Sequence, residues 1–379
     1  MRGMDSEKKP VLSTRALNRA TLARQLLLRR TPMPAKHAVA HLVGLQAQNT
    51  KPPYYALAAR LDGFRPEELS ALMEAREVAR IVTMRSTIHT HTADDVLALR
   101  PLVQAARDRE VTLFRKGLVG VDLERLTALS RDLVEERPRT PKEIREALLK
   151  EWPDADPLAL TVAARCLLPL VQVTPRGLWG RGGQVALTTA ETWLGRSAEP
   201  VTPQAAVLRY LAAFGPASVK DMQTWSGLTR LRDAFEALRP TLLTFRDEQG
   251  VELFDLPDAP RPDPDTPAPP RFLPEFDNLL LSHADRTRVV PKEYKDRTWK
   301  GNQAYRTFLV DGFLAGTWRP EETAAGGTAR RGTATGGTVT VQPFGTLTRE
   351  QRAAVAEEAA RTMAVMAPGT TYDVRFGTF

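Results

Sequence analysis

The segment HLVGLQAQNTKPPYY sets two carboxamides, Gln46 and Gln48, around a small apolar residue, Ala47, just ahead of Lys51-Pro52-Pro53. A helix whose buried stripe carries Val39, Leu42 and Val43 would next present Gln46, a polar amide where an apolar residue is expected. The prolines force extended backbone before them, so that helix is expected to end near Leu45 or Gln46. Extended backbone over Gln46-Ala47-Gln48 would send both amides to the same side, because side chains along a strand alternate with a period of two. Two groups that each donate and accept hydrogen bonds would then meet in one cavity or groove. On residue type alone the plainer reading is favoured, in which the glutamines satisfy buried backbone at a helix end.

Other chemistries find less support. His37 and His41 are spaced to share a helix face, but no HExxH pattern or neighbouring cysteine completes a zinc site. His89 and His91 alternate along an expected strand and are read as facing partly solvated surface. The single cysteine, Cys166, in the run AARCLLPL, excludes a disulfide framework and reads as core filling. There is no GxSxG elbow, GxxxxGK[ST] loop or GxGxxG turn, so serine acyl transfer, nucleotide hydrolysis and dinucleotide redox chemistry are unsupported. No cofactor and no metal are expected.

The elements that must carry these residues follow from patterning. With 42% hydrophobic and 26% charged residues in 379, the chain reads as a folded, soluble protein of two to four units. It lacks a run of about 18 apolar residues or a secretory signal, so a cytoplasmic location is expected. A formal charge of +8 favours a polyanionic partner, although a solvated basic surface would look the same. One pattern recurs. Between Thr202 and Pro257 a helix over Pro203 to Phe214, with Val207, Leu208, Leu211 and Ala212 on one face, is followed by a Ser218-capped helix. A third helix and a hairpin around Asp247-Glu248-Gln249-Gly250 complete the winged-helix plan. A second copy is read between Arg139 and Thr189, where the turn PRGLWGRGGQ resembles a wing carrying Arg176, Trp179 and Arg181. A contact with DNA and a solvated surface hairpin both remain open for that turn. A less regular copy has helices over 15–30, 34–46 and 53–61, then an extended segment, IVTMRSTIHT, and a cap at Thr92.

Six prolines between Asp258 and Pro270 read as a stiff connector. Beyond it, apolar runs such as NLLL, TFLVDGFLAGTW and VTVQPF, a helix from Arg349 to Met366 and a last strand, YDVRF, read as a β-rich domain. The glycine-rich stretch holding Arg330 and Arg331 is expected to be a flexible loop. The fold class is thus α+β, mainly helical. It comprises a first winged-helix unit with its following helices (12–137), a second (138–200), a third (201–257), a linker (258–270) and a C-terminal β-rich domain (271–379).

The segments GLQAQ with PPYY, MRSTIHTHTADD, LPEFDNLLLSHADRTRVV and FLVDGFLAGTW together resemble the bacterial winged-helix DNA glycosylase superfamily, over nearly the whole chain. The branch resembled is that of the azinomycin-resistance enzymes acting on interstrand crosslinks. The resemblance implies three tandem winged-helix units and a β-rich element in a C shape around duplex DNA, with a glutamine–apolar–glutamine motif in the channel. Gln46 and Gln48 fit that motif and become the expected catalytic residues. Relatives with aspartate at the second polar position are associated with a broader lesion range. Expected DNA contacts are Arg176, Trp179, Arg181, Arg286, Arg288, Arg330 and Arg331. The implied activity is a monofunctional glycosylase that hydrolyses N7-alkylated purines, unhooks crosslinks and confers self-resistance to a DNA-alkylating antibiotic. The partner is double-stranded DNA with such lesions, not a membrane. The alternative is a non-enzymatic winged-helix regulator, which would be expected to dimerise on a palindrome; with no evident coiled coil or dimerisation helix, a monomer is expected.

Overall fold

The computed structural model of the chain describes residues 9–301, 303–323 and 336–379, and the structural statements below concern those residues. Arg330 and Arg331 lie outside them. The fold is mixed α+β, and its two largest sheets have five strands each.

The first of these sheets carries the glutamine motif. Its strands lie in the order Leu45–Gln46, Ile88–Thr92, Val78–Val82, Leu170–Gln172, Leu187–Thr189, every neighbour antiparallel. The segment IVTMRSTIHT is therefore a hairpin rather than one extended run, with Val82 opposite Ile88 and a tight turn at Met84–Ser86. Thr92 then caps the next helix by accepting from the Asp95 N–H. Strands from the expected first and second units pair directly, Arg80 opposite Gln172 and Ile81 opposite Val171.

The first two helices are shorter than their sequence pattern, running Thr14–Arg24 and Ala35–His41, and the third spans Pro52–Arg60, close to its expected range. Left-handed residues end the first two: Leu26 at φ 57°, and Val43 and Gly44 at φ 54° and 88°. The Gly44 N–H bonds back to the Val39 carbonyl at 2.9 Å, closing the second helix early. Leu42 and Val43 are buried in that turn, outside the helix.

The segment Thr202–Pro257 folds as three helices, Pro203–Phe214, Val219–Ser226 and Arg232–Leu238, and a hairpin of Leu243–Asp247 with Glu252–Asp255. Ser218 and Asp221 form a capping box. The buried face of the first helix passes through Val207, Tyr210, Leu211 and Phe214, whereas Leu208 points outward. In the preceding segment, Thr140 caps Pro141–Glu151 in a capping box with Glu143, and Asp156 caps Pro157–Leu167.

The proline-rich connector is pinned along the first helix. Arg15 Nε donates to the Pro264 carbonyl at 2.8 Å and Arg19 Nε to the Thr266 carbonyl at 2.7 Å. The C-terminal sheet runs Thr371–Phe376, Gly336–Pro343, Phe313–Thr323, Thr307–Val310, Arg271–Leu273, with the helix Arg349–Met366 packed against it. The run NLLL forms a 3-10 turn, Asn278–Leu280. Tyr54 and Leu57 share one core with Phe272, Trp318, Val341, Val355 and Met363, so the helix that follows the glutamine motif rests on the C-terminal sheet. No described helix is long and apolar enough to cross a membrane.

Candidate active site

Gln46 lies on the edge strand opposite His89 and is 6% exposed. Its Oε1 accepts from Arg85 Nη2 at 2.7 Å. Ala47 continues the pairing, its N–H donating to the Ile88 carbonyl at 2.7 Å. Gln48 is exposed, and its Oε1 accepts from the Ile88 N–H at 3.3 Å. Both bonds fix which way the amides face, because a guanidinium and a backbone N–H can only donate. Each amide oxygen keeps a second lone pair, and each Nε2 is left for another partner. The extended course expected for Gln46 to Gln48 is thus present, but neither glutamine caps the preceding helix, which ends at His41.

Several residues that sequence reasoning passed over hold this strand. Arg80, 1% exposed, donates from Nη2 to the Ala47 carbonyl at 2.8 Å and from Nε to Gln172 Oε1 at 3.2 Å. Burial, with Arg176 nearby, lowers its pKa to about 10, which leaves it cationic at neutral pH. Arg85 reaches both Gln46 and the carbonyl of Trp225. Burial brings it to about 10 as well. Asn278 Nδ2 donates to the Gly44 carbonyl at 2.8 Å, fixing the turn that enters the strand. Gly44 cannot be larger: a Cβ there would stand 2.3 Å from His91 Nδ1. Glu275, which accepts from Asn49 Nδ2 at 3.4 Å, is engaged by Arg306 Nε at 3.0 Å. Gly44, Arg85, Glu275 and Asn278 lie within the segments GLQAQ, MRSTIHTHTADD and LPEFDNLLLSHADRTRVV that carry the family resemblance, and that was the one signal pointing to them.

His89 and His91 do not face solvent as expected from the strand pattern. They are 1% and 0% exposed and stack at 5.6 Å. Burial pushes His91 down to about 4 and His89 well below its ordinary range, with Arg85 and His91 adding to the latter. Both imidazoles are neutral at pH 7. Because the unfolded chain binds protons near pH 6.5 and the folded one resists them, this stability is complete above pH 6.5 and lost as pH falls through about 4. Thermal melts are expected to drop steadily between those values, and His91→Gln to flatten the slope; an equally steep profile in the variant would place the titration elsewhere. Among the described residues, no group of three or more His, Cys, Asp or Glu side chains gathers as a metal site.

The expected DNA contacts separate. Arg181, at the wing-like turn, is exposed, with Glu74 at 3.5 Å. Arg176 is half-buried and donates to the Gly183 carbonyl at 3.0 Å. Trp179 packs inward on Tyr54, ring centres 4.9 Å apart, and Lys51 lies over its ring. Arg286 is half-buried, with Nη1 3.3 Å from the Leu280 carbonyl. Arg288 is 6% exposed and its Nη1 donates to the Pro216 carbonyl at 2.7 Å and Thr21 Oγ1 at 3.4 Å, so it is largely withdrawn from the surface.

A family model described as DNA glycosylase AlkZ-like matches residues 39–365, from the helix before the glutamine motif to the end of the C-terminal helix. The chain belongs to that family. It is a DNA glycosylase of the AlkZ-like group. Among solved structures it is similar to the Streptomyces sahachiroi DNA glycosylase AlkZ, with a TM-score of 0.76 and 19% identity, over 97% of this chain and 100% of that one. At that identity the likeness speaks for the fold. No curated protein matches by sequence. In this AlkZ-like chain the glutamine motif falls at the start of the matched span.

Proposed function

We propose that this AlkZ-like glycosylase hydrolyses the N-glycosidic bond of N7-alkylated purines in duplex DNA, and that Gln46 and Gln48 position the attacking water. The observation that carries the reading is the state of the two amides. Each is oriented by one donor and keeps unused donors and a lone pair, at adjacent points along the Ile88–Thr92 strand. Alkylation at N7 makes the purine cationic, so it leaves as a neutral base and needs no general acid. What remains is to hold a water against a developing oxocarbenium sugar, which positioning and fixed dipoles supply. Among the described residues, the carboxylate bonded to the segment after the motif is that of Glu275, which is paired with Arg306. Crosslinked purines present the same bond at the sugar; a base tied to both strands obstructs full extrusion, a constraint that an open channel, rather than a tight base pocket, would accommodate. Self-resistance to a DNA-alkylating antibiotic would be the corresponding role. Arg181, Arg176 and Arg286 are assigned to phosphate contacts in a winged-helix channel, with Trp179 bracing the turn that carries the first two.

The test is a duplex containing 7-methylguanine, incubated with the enzyme in excess EDTA. Free 7-methylguanine is expected, with the strand left intact until the abasic site is cleaved by heat or alkali. Activity restored only by added metal would overturn the water-positioning scheme, and a nick arriving together with the base would overturn the monofunctional assignment. A duplex crosslinked through N7 atoms, run on a denaturing gel, reads unhooking separately.

A further inference from the structure

We propose that Arg85 is a positioning residue of this reaction, the group that decides which atoms of Gln46 face the substrate and that ties the motif to the helix Val219–Ser226. The inference rests on the reading of Gln46 as a catalytic residue. A guanidinium has donors only, so its bond to Gln46 Oε1 turns the amide nitrogen away from Arg85 and toward whatever the site holds. Polarising the carbonyl also strengthens the N–H groups of the same amide as donors. The other arm of the fork donates to the Trp225 carbonyl near the C-terminus of Val219–Ser226.

Backbone and packing hold the guanidinium there. Arg85 and Ser86 are consecutive non-glycine residues in the left-handed region, at φ 50° and 58°. Side chains seldom adopt that conformation, and it persists only where surroundings impose it. Here the surroundings are visible: a Cβ at Gly227 would stand 3.1 Å from the Arg85 nitrogen, so the helix end and the turn meet backbone to backbone. Met84, next in the turn, is buried in the same core as Val43, Trp225 and Leu228. A displacement of that helix therefore reaches Gln46 through a single side chain.

The experiment is a double-mutant cycle read in single-turnover base release, with duplex affinity and thermal melts measured on every variant. Arg85→Met keeps the stem and removes the donors; release is expected to slow on the order of 10-fold with affinity within about twofold of wild type. Combined with Gln46→Ala, it should add nothing to the defect of Gln46→Ala alone, whereas a residue acting only on stability would multiply the two. Arg85→Lys, which keeps the charge and loses the planar fork, should also be slower than wild type and also vanish in the Gln46→Ala background, so the cycle stands if the Met variant does not fold. Additive defects, or Arg85→Lys at the wild-type rate, overturn the proposal while leaving Gln46 in place. Gln46→Ala at the wild-type rate removes the reading of the site itself, and the role of Arg85 with it.

Discussion

Alanine at Gln46 or at Gln48 is expected to slow single-turnover release of an N7-alkylpurine by about 10²-fold, the scale on which lost hydrogen bonding in a transition state registers. Duplex affinity should barely change, since neither amide is a phosphate contact. The two sites differ in what else the substitution removes. Gln48 is exposed and, among the described residues, bonds only the Ile88 N–H, at 3.3 Å, so Gln48→Ala should melt close to wild type. Gln46 is buried and its loss strips Arg85 of an acceptor, so Gln46→Ala should lose about 1–3 kcal/mol of stability in addition. A purely structural pair would show the reverse weighting: little kinetic effect at Gln48, and at Gln46 an activity loss no greater than the unfolded fraction. Gln48→Asp is a further arm, placing a negative charge near the developing cation, and is expected to retain release of simple N7-alkylpurines. If both alanine variants are folded and excise at the wild-type rate, the catalytic centre lies elsewhere.

Much of the local structure was legible because it rests on local rules. Thr202–Pro257 has clean 3.6-residue periodicity, a Ser cap and a Gly-containing hairpin turn, and its three helices and hairpin appear where those signals fall. Thr92 acts as the cap its position suggests. The motif is extended as its spacing suggests, but not because of the prolines: Lys51, just before Pro52, is helical at φ −80° and ψ −35°, and the helix ahead of the motif already stops at His41, where Val43 takes a left-handed conformation that no residue type announces. What sequence could not give is pairing at long range. That Arg80 sits opposite Gln172 is a property of two segments more than 90 residues apart. The same limit hid the arginines of the interior. Arg24, Arg60, Arg80 and Arg107 are all nearly or fully buried, which residue type alone argues against. His89 and His91 failed for a related reason: alternation says that two side chains share a face, and only tertiary packing says what covers it.

One of those interior arginines sets the second large expectation. Arg60, in the helix after the motif, meets Asp277 in a two-pronged ion pair, Nη1 to Oδ2 at 2.8 Å and Nη2 to Oδ1 at 2.7 Å, with both side chains fully buried. The same guanidinium donates to the Ala56 carbonyl at 3.0 Å and Gln25 Oε1 at 3.2 Å. Asp277 also accepts from the Leu279 N–H at 3.0 Å, capping the short turn that presents Asn278 to the Gly44 carbonyl. Removing the carboxylate leaves a buried cation without its counter-charge, so Asp277→Ala is expected to cost about 3–5 kcal/mol in urea or thermal melts. Replacing both partners, as in Arg60→Met with Asp277→Leu, removes the stranded charge and should recover a large part of that loss, because burying the original pair also carried a desolvation cost. Base release separates the pair's two effects. If Asp277 serves only the core, the rescued double variant should excise at nearly the wild-type rate. If it also sets the approach to Gln46 through Asn278 and Gly44, stability should return while excision stays several-fold slow, since the aspartate cap would still be missing and reacting groups held even slightly out of place lose rate steeply. An Asp277→Ala protein that melts like wild type would mean that Arg60 finds another partner and that this pair does not hold the site.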